Sequence, residues 1–188
     1  ERVTLIEAAV DIVPHDRIVI AGTGTESTRH TIRLTEHAAS AGVDAVLVSP
    51  PAYYKGAMTP GVLARHYRAV ADASPVPVLI YQVPLRLSTL DLPTGLIAEL
   101  SQHPNIVGIK DSRGKLELVA ELVESCVPGF QVLVGNGALL FAALETGSVG
   151  GILGVANILP GESAGIVREW VGGNRVEAAR LQEVCLLY

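Results

Sequence analysis

The sequence of 188 residues has few charged and few aromatic side chains, 18% and 4% of the total. It contains no apolar run near the ~18 residues needed to span a bilayer, so a membrane protein is not expected. Its two cysteines, Cys126 and Cys185, lack metal or redox spacing and are interpreted as buried thiols of a reducing compartment. The net charge of −5, with no basic cluster, argues against a nucleic-acid partner.

Signatures of metal and nucleotide binding are also absent. None of the five histidines stands at metal-ligand spacing from another ligand, and all of them, His66 included, are assigned surface or capping roles. The nearest approach to a phosphate-binding loop, residues 22–27, lacks a third glycine and a following lysine. A tight turn is favoured there, and neither a cofactor nor a metal is expected.

Apolar residues make up 49% of the sequence and form short blocks, which is typical of strands buried on both faces of a parallel sheet. Strands are predicted at residues 17–22, 45–49, 76–81, 106–110, 131–135 and 150–154. Helices are predicted at residues 28–41, 60–73, 93–102, 115–125, 138–146, 161–171 and 175–186. This alternation predicts right-handed parallel units, either in a (β/α)₈ barrel or in an open doubly wound sheet.

The start of the chain bears on which architecture is expected. The first ten residues already follow a helical pattern, and the only methionine, Met58, is internal, so the chain is expected to be a piece of a longer protein. Six strands cannot close an eight-stranded barrel. In the barrel interpretation, two further strands are therefore expected upstream of Glu1.

Lys110 is the candidate nucleophile. Strict alternation places Ile106, Gly108 and Lys110 on one face of a strand, with the amine projecting into the barrel at the strand's end. Burial favours a neutral amine, which can attack a ketone and form an imine that promotes carbon–carbon cleavage. Gly108 is expected to leave room for a substrate. From this segment alone, a lysine that pairs with Asp111 or reaches solvent is the simpler interpretation.

Tyr81 ends a second strand of the same kind, and its ring is expected at the same mouth of the barrel. Imine chemistry needs a group that moves protons, and a tyrosine hydroxyl can do so. We expect this hydroxyl within a few ångströms of the Lys110 amine. The alternative is an aromatic side chain that simply fills the barrel core.

The sequence Tyr-Gln-Val-Pro at residues 81–84 and Val-Gly-Ile-Lys-Asp-Ser at residues 107–112 resembles the motifs of the N-acetylneuraminate lyase/dihydrodipicolinate synthase superfamily. The resemblance extends over essentially the whole chain, including residues 21–28, 41–45 and 50–54. Within the superfamily, residues 51–56 and 101–108 look most like the 4-hydroxy-2-oxoglutarate aldolases.

The resemblance implies an α/β fold: an incomplete (β/α)₈ TIM barrel, forming a single domain over residues 1–188, with a helical extension from about residue 160. It also implies a class I aldolase or lyase that acts on a 2-oxo acid and releases pyruvate. Lys110 matches the imine-forming lysine and Tyr81 the proton-relaying tyrosine. A homo-oligomer, dimer or tetramer, is implied, located in the cytoplasm or, as for some 4-hydroxy-2-oxoglutarate aldolases, in mitochondria.

The same resemblance implies five substrate-binding positions. Ser112 corresponds to a serine near the site, and Gly135 to a backbone position that lines the pyruvate end. Arg86 stands where lysine-biosynthetic synthases place an arginine for a distal carboxylate. Tyr53 or Tyr54 corresponds to a tyrosine that reaches a neighbouring subunit's site.

Three departures from the family pattern are visible. Gln82 replaces a residue that is usually smaller, and the loop at residues 85–90 is about one residue longer than usual. The Thr-Thr-Gly-type loop that binds the pyruvate carboxylate is expected just before Glu1. Two alternatives stay open: a dihydrodipicolinate synthase, favoured by Arg86 and opposed by the loop at residues 53–56, and a non-catalytic fragment of the barrel, suggested by the missing strands.

Overall fold

The computed structural model describes residues 1–186, which contain six strands and eight α-helices. The strands are β1 (Ile20–Gly22), β2 (Ala45–Val48), β3 (Val78–Gln82), β4 (Ile106–Asp111), β5 (Gln131–Val134) and β6 (Gly150–Gly151). The helices are α1 (Arg2–Ile12), α2 (Thr28–Ala41), α3 (Pro60–Ala73), α4 (Thr94–Leu100), α5 (Leu116–Ser125), α6 (Leu140–Glu145), α7 (Pro160–Val171) and α8 (Arg175–Cys185). Three short 3₁₀ turns lie at Lys55–Ala57, Gly137–Leu139 and Val155–Asn157.

All six strands are parallel, and their order in the sheet is their order in the chain. An open doubly wound sheet would reverse its strand order at a switch point, whereas a barrel adds each strand beside the last. The sheet is therefore a curled part of a (β/α)₈ barrel, which confirms the predicted fold class. How the chain divides into domains stays a prediction, although α7 begins at Pro160, close to the predicted start of the helical extension.

The helix ends show why the local sequence folds as it does. Gly42 ends α2 with φ of +98°, a left-handed conformation that glycine adopts without strain. Thr59 caps α3, its hydroxyl accepting a hydrogen bond from the Val62 amide at 3.3 Å, and Pro60 occupies the first turn. Both helices have the predicted bounds. Pro93 precedes α4 instead of lying within it.

The two outer strands are shorter than predicted. Strand β1 begins only at Ile20, because the Val19 amide donates to the Asp44 side chain at 2.7 Å and not to a neighbouring strand. Strand β6 ends at Gly151 and is followed by a bend and a 3₁₀ turn. Of the described strands, each of these two has a neighbour on one side only, which limits how far it is held extended.

Strict alternation fails at the start of β4. Ile106 pairs with Val78, but Gly108 pairs with Leu79, so one extra residue is inserted in β4. Ile106 therefore lies on the helix-facing side with Val78, buried in the main core. The predicted common face of Ile106, Gly108 and Lys110 is wrong for Ile106 and holds for the other two.

The edge formed by α1 and β1 is unusually apolar for a surface. Leu5, Ile12 and Ile18 are 66%, 80% and 74% exposed, and α1 contains no buried residue. Within residues 1–186, no helix combines the length and the apolar character needed to cross a bilayer. Cys185 is buried as predicted, but Cys126 is only half-buried.

Candidate active site

Lys110 and Tyr81 lie side by side at the carboxyl end of the sheet. They are direct partners in the register of β3 and β4, so both side chains project from the same face. The Lys110 Nζ lies over the Tyr81 ring, 4.4 Å from its centroid. Both residues are half-buried. No side-chain hydrogen bond involves either of them within the described part of the chain, and the predicted approach of the hydroxyl to the amine stays a prediction.

The neighbouring carboxylate does not pair with Lys110. Asp111 points the other way. Its Oδ2 accepts two hydrogen bonds from the Arg113 guanidinium, at 2.5 and 2.8 Å, and its Oδ1 accepts one from the Arg113 backbone amide at 2.7 Å, with both side chains almost fully buried. Charge-assisted hydrogen bonds of this kind are short and strong. The interpretation that Lys110 pairs with Asp111 is therefore wrong.

Gly108 does not leave room for a substrate, contrary to expectation. A Cβ atom there would collide with the Gln131 carbonyl and come within 2.8 Å of Leu79 Cδ2. The glycine is required because the β5 backbone at Gln131 and the Leu79 side chain both lie against it. The space that a ligand could use lies further toward the strand ends.

Ser112 and Gly135 continue the sheet beyond its strands and adjoin Lys110. The Ser112 amide donates to the Gln82 carbonyl at 3.0 Å, and the Gly135 amide to the Asp111 carbonyl at 2.7 Å. A Cβ atom on Gly135 would collide with Ser112 Oγ and lie 3.0 Å from Lys110 Cε. The Ser112 hydroxyl and the Lys110 side chain therefore both pack directly over Gly135. Two predicted site residues, Ser112 and Gly135, thus lie beside the predicted nucleophile.

Replacing Gly135 with alanine is expected to lower kcat/KM by about 10²-fold, because displacing a reacting group by about 1 Å can cost that much. Gly95→Ala in α4 is the matched control, since Gly95 is exposed and a Cβ there meets nothing within 4 Å. Steady-state kinetics on the full-length proteins, with folding checked by circular dichroism, measure the effect. Equal activity of the two variants would show that Gly135 has no such role.

A cavity of about 650 Å³ opens beside this cluster. Its lining includes Arg86, Ser112, Gly135 and Asn136. Lys110 and Tyr81 do not line this cavity, but the Lys110 side chain packs against Gly135, which does. The exposed Arg86 is thus brought to the same space as Ser112 and Gly135, from a loop that follows β3.

Sequence reasoning missed several residues of this cavity. Arg113 lines it while holding Asp111, and Asn136 caps the following 3₁₀ turn through a bond from the Ala138 amide at 3.1 Å. Cys185 reaches it from α8. For Asn136, the signal was its position directly after a predicted strand. Cys185 carries no such signal, because only the packing of α8 brings it there.

Tyr53 and Tyr54 lie apart from the cavity lining on an exposed loop. They are 77% and 73% exposed, and their rings contact each other edge to face at 4.9 Å. The Glu26 carboxylate fixes the loop by accepting bonds from the amides of Ala52 and Tyr53, at 2.8 and 2.9 Å. Within this chain, the structure does not bring the two tyrosines to the cavity. Their predicted reach into another subunit stays a prediction.

His66 is buried, so the surface or capping role predicted for it is wrong. Only 3% of it is exposed, because α3 packs this side against α2. Its Nδ1 is hydrogen-bonded to the Thr28 hydroxyl at 2.8 Å, while Nε2 is buried without a partner among the described residues. Burial lowers the pKa of His66 to about 4, an effect that the negative charge of Glu26 partly opposes.

This depressed pKa predicts an acid-sensitive stability. Between pH 7 and pH 5 the unfolded imidazole, with a pKa near 6.5, takes up a proton that the folded one does not accept. The free energy of unfolding should therefore fall by about 2 kcal/mol over this range because of His66 alone. Below the folded pKa this group causes no further loss.

Urea unfolding of the full-length protein at pH 7 and pH 5 measures this effect. His66→Asn, which keeps a polar partner near Thr28, should show a smaller acid loss than the wild type. His37→Asn, at a half-exposed position 3.5 Å from Glu7, is the control and should behave as the wild type. An identical acid loss in the His66 variant and the wild type would contradict the prediction.

The fold and the strand-end residues together define a (β/α)₈-barrel protein with its candidate active site at the carboxyl ends of the strands. No cluster of three metal-ligating side chains occurs in residues 1–186. The sequence model described as the dihydrodipicolinate synthetase family matches residues 1–187. The chain belongs to this family, which confirms the resemblance seen in the sequence.

Two curated relatives illustrate the range of the family. The chain is 43% identical over 166 residues to a protein of Emericella nidulans named probable 4-hydroxy-2-oxoglutarate aldolase, mitochondrial, covering 88% of this chain and 54% of the relative. It is 38% identical over 182 residues to the 4-hydroxy-tetrahydrodipicolinate synthase of Acidiphilium cryptum, covering 97% of this chain and 61% of the relative.

Solved structures agree with these relationships. A prophage protein of the dihydrodipicolinic acid synthase family from E. coli K12, in complex with pyruvate, has a TM-score of 0.92 at 30% identity, covering 98% of this chain and 62% of that one. The 4-hydroxy-tetrahydrodipicolinate synthase of Methylacidiphilum fumariolicum SolV has a TM-score of 0.91 at 33% identity, covering 97% and 60%. The chain thus spans between 54% and 62% of the length of these four relatives.

Proposed function

We propose that the protein carrying this chain is a class I, Schiff-base-forming carbon–carbon lyase that releases pyruvate from a 2-oxo acid. The observation that carries the proposal is the Lys110 amine, free of hydrogen bonds within residues 1–186, beside the Tyr81 ring at the carboxyl ends of paired strands. Membership of the dihydrodipicolinate synthetase family supports it.

The proposed reaction begins at the lysine. The Lys110 Nζ attacks the C2 ketone of a 4-hydroxy-2-oxo acid, and loss of water gives a protonated imine. Removal of the proton from the 4-hydroxyl lets the C3–C4 bond break: C4 leaves as an aldehyde, and the bond's electron pair moves into the iminium to form an enamine. Protonation at C3 and addition of water then release pyruvate and the free amine.

Tyr81 moves the protons in this scheme. The packing of its ring against the Lys110 amine supports a role for the phenol in two proton transfers, the loss of water from the carbinolamine and the loss of the proton from the 4-hydroxyl. Ser112 donates or accepts a hydrogen bond at the same end of the substrate. Gly135 allows both groups to approach, because any side chain there would displace Ser112.

The proposed substrate is 4-hydroxy-2-oxoglutarate or a 2-keto-3-deoxy sugar acid. Arg86 lines the same cavity as Ser112 and Gly135 and would bind a carboxylate or hydroxyls at the end of the substrate remote from Lys110. The name of the Emericella nidulans relative supports the first of these substrates. The name of that relative also motivates mitochondria as one proposed location, the cytoplasm being the other.

A homo-oligomer is part of the proposal. Tyr53 and Tyr54 expose most of their surface on a loop fixed by Glu26, which suits a contact with a second subunit's site. Large exposed aromatic side chains are enriched at protein interfaces.

Borohydride reduction in the presence of pyruvate tests the proposal directly. The full-length protein should gain a covalent pyruvate-derived group, and peptide mapping should place it on Lys110. Omitting either pyruvate or borohydride gives the controls. No adduct on Lys110 would contradict the proposal and would favour the alternative of a barrel without this chemistry.

A dihydrodipicolinate synthase is the second candidate, favoured by Arg86 at the cavity and by the name of the Acidiphilium cryptum relative. Both candidates share the imine, so trapping does not separate them. Supplying pyruvate with glyoxylate, or with aspartate semialdehyde, does. Pyruvate and glyoxylate combine to give 4-hydroxy-2-oxoglutarate, whereas pyruvate and aspartate semialdehyde combine to give 4-hydroxy-tetrahydrodipicolinate.

A further inference from the structure

Gln82 is a buried polar side chain that the proposed mechanism does not use. It is fully buried at the end of β3, directly after Tyr81. Its amide nitrogen donates to the carbonyls of Val83 and Leu90, at 2.8 and 3.2 Å, and its amide oxygen accepts from the Leu92 amide at 2.8 Å. One side chain thus joins the two ends of the loop at residues 83–92.

A second buried group holds the same end of that loop. Arg113, 3% exposed at its side chain, donates to the Asp91 carboxylate at 3.2 Å and to the Leu92 carbonyl at 3.4 Å while bound to Asp111. Gln82 and Asp111 are themselves partners in the register of β3 and β4. The end of the loop is therefore tied to both strands that carry the candidate catalytic pair.

The middle of the loop has weaker support: the side-chain bond that ties it to another segment is a surface contact, from the Lys55 amine to the Thr89 hydroxyl at 2.5 Å. Its described backbone bonds are local, from the amides of Leu87 and Ser88 to the Pro84 carbonyl at 2.8 and 3.0 Å. Leu87 is 69% exposed, and Arg86 is exposed where it lines the cavity. The position of Arg86 relative to Lys110 therefore depends on how the two ends of the loop are fixed.

The Gln82 side chain is long enough to make all three of these hydrogen bonds. Its two methylene groups carry the amide past the first residue of the loop to Leu90 and Leu92, eight and ten residues further on. An asparagine, one methylene shorter, could not keep all three bonds. The larger residue at position 82 and the longer loop that follows it are thus two parts of one arrangement.

We propose that Gln82 is a specificity-positioning residue, which fixes the 83–92 loop so that Arg86 meets the far end of the substrate. The inference rests on the proposed function, because it assumes a substrate bound at Lys110. Gln82 touches neither the substrate nor the reacting atoms in this proposal. It acts through the loop, and it selects substrates whose remote end carries a carboxylate.

The test compares two substrates that differ only at the remote end: 4-hydroxy-2-oxoglutarate, with a carboxylate, and 4-hydroxy-2-oxopentanoate, with a methyl group. Gln82→Met keeps the side-chain length and removes every polar group. Gln82→Asn is the second variant, should the first not fold. Asn105→Leu is the control, because Asn105 also donates two bonds to backbone carbonyls, of Ala71 and Ser74, but at the opposite end of the sheet.

In the full-length protein, both Gln82 variants should trap pyruvate on Lys110 as the wild type does. The ratio of kcat/KM for the two substrates should fall by about 10- to 100-fold, mainly through a higher KM for the dicarboxylate. Asn105→Leu should leave this ratio unchanged.

The remaining outcomes separate the inference from the proposed function. If the wild type traps no pyruvate, the proposed function fails and the inference fails with it. If the wild type traps pyruvate but does not discriminate between the two substrates, the inference alone is wrong. It is equally wrong if the Gln82 variants lose activity on both substrates in the same proportion.

Discussion

Replacing Lys110 with alanine is expected to abolish the reductive trapping of pyruvate and to lower cleavage on the order of 10⁶-fold, as the loss of a nucleophile does in other enzymes. The sequence contains only two other lysines, Lys55 and Lys115. Lys55 lies in an exposed loop and donates to the Thr89 hydroxyl at 2.5 Å. Lys115 precedes α5 on the surface. Neither ends a strand at the mouth of the barrel.

The substitution should leave the fold intact, since no hydrogen bond to the Lys110 side chain is present within residues 1–186. Circular dichroism and urea unfolding of the full-length protein check this point. Lys115→Ala is the matched control and should trap pyruvate as the wild type does. Persistent trapping and cleavage in Lys110→Ala would refute the Schiff-base assignment. Loss of activity with a chelator would then test a metal-dependent aldolase.

The sequence was sufficient to predict most of the fold, because parallel strands buried on both faces leave a continuous apolar signal. All six strands were located. Helices α2 and α3 have the predicted bounds, because Gly42 terminates α2 and the Thr59 side chain caps the start of α3. The outer strands β1 and β6 were predicted too long. How far an edge strand stays extended depends on its neighbours, which local composition does not report.

Two errors have the same physical origin in contacts that are remote along the chain. The face on which Ile106 lies follows from a register shift against Val78 and Leu79, and no alternation pattern within β4 encodes that shift. The burial of His66 follows from the packing of α3 on α2, where Thr28 becomes its partner. The sequence of an amphipathic helix does not show whether a histidine in it will be buried or exposed.

The residues of the candidate site were also predictable only in part. Lys110 and Tyr81 were predicted because they end parallel strands, whose carboxyl ends meet at one edge, and Ser112 and Gly135 because the family resemblance implied them. The structure places these four residues together. Gln82 attracted notice only as a departure from the family pattern. Its role depends on backbone groups up to ten residues away, which the fold alone brings within reach.

Replacing Tyr81 with phenylalanine is expected to separate imine formation by Lys110 from proton transfer by the Tyr81 hydroxyl. The variant keeps the ring that lies 4.4 Å from the Lys110 amine, so the amine should stay in place and still form an imine with pyruvate. It loses the hydroxyl, and turnover should fall by ~10²- to 10⁴-fold, which is the usual contribution of a positioned acid–base group.

The kinetic pattern distinguishes this role from a structural one. If the hydroxyl only moves protons, kcat for 4-hydroxy-2-oxoglutarate should fall while KM changes little, and borohydride should still modify Lys110 in the presence of pyruvate. Tyr81→Leu is the comparison variant: without the ring against which the amine packs, trapping itself should weaken. Wild-type turnover in Tyr81→Phe would show that protons reach the substrate by another route. Tyr81 would then serve only as the apolar surface that holds Lys110.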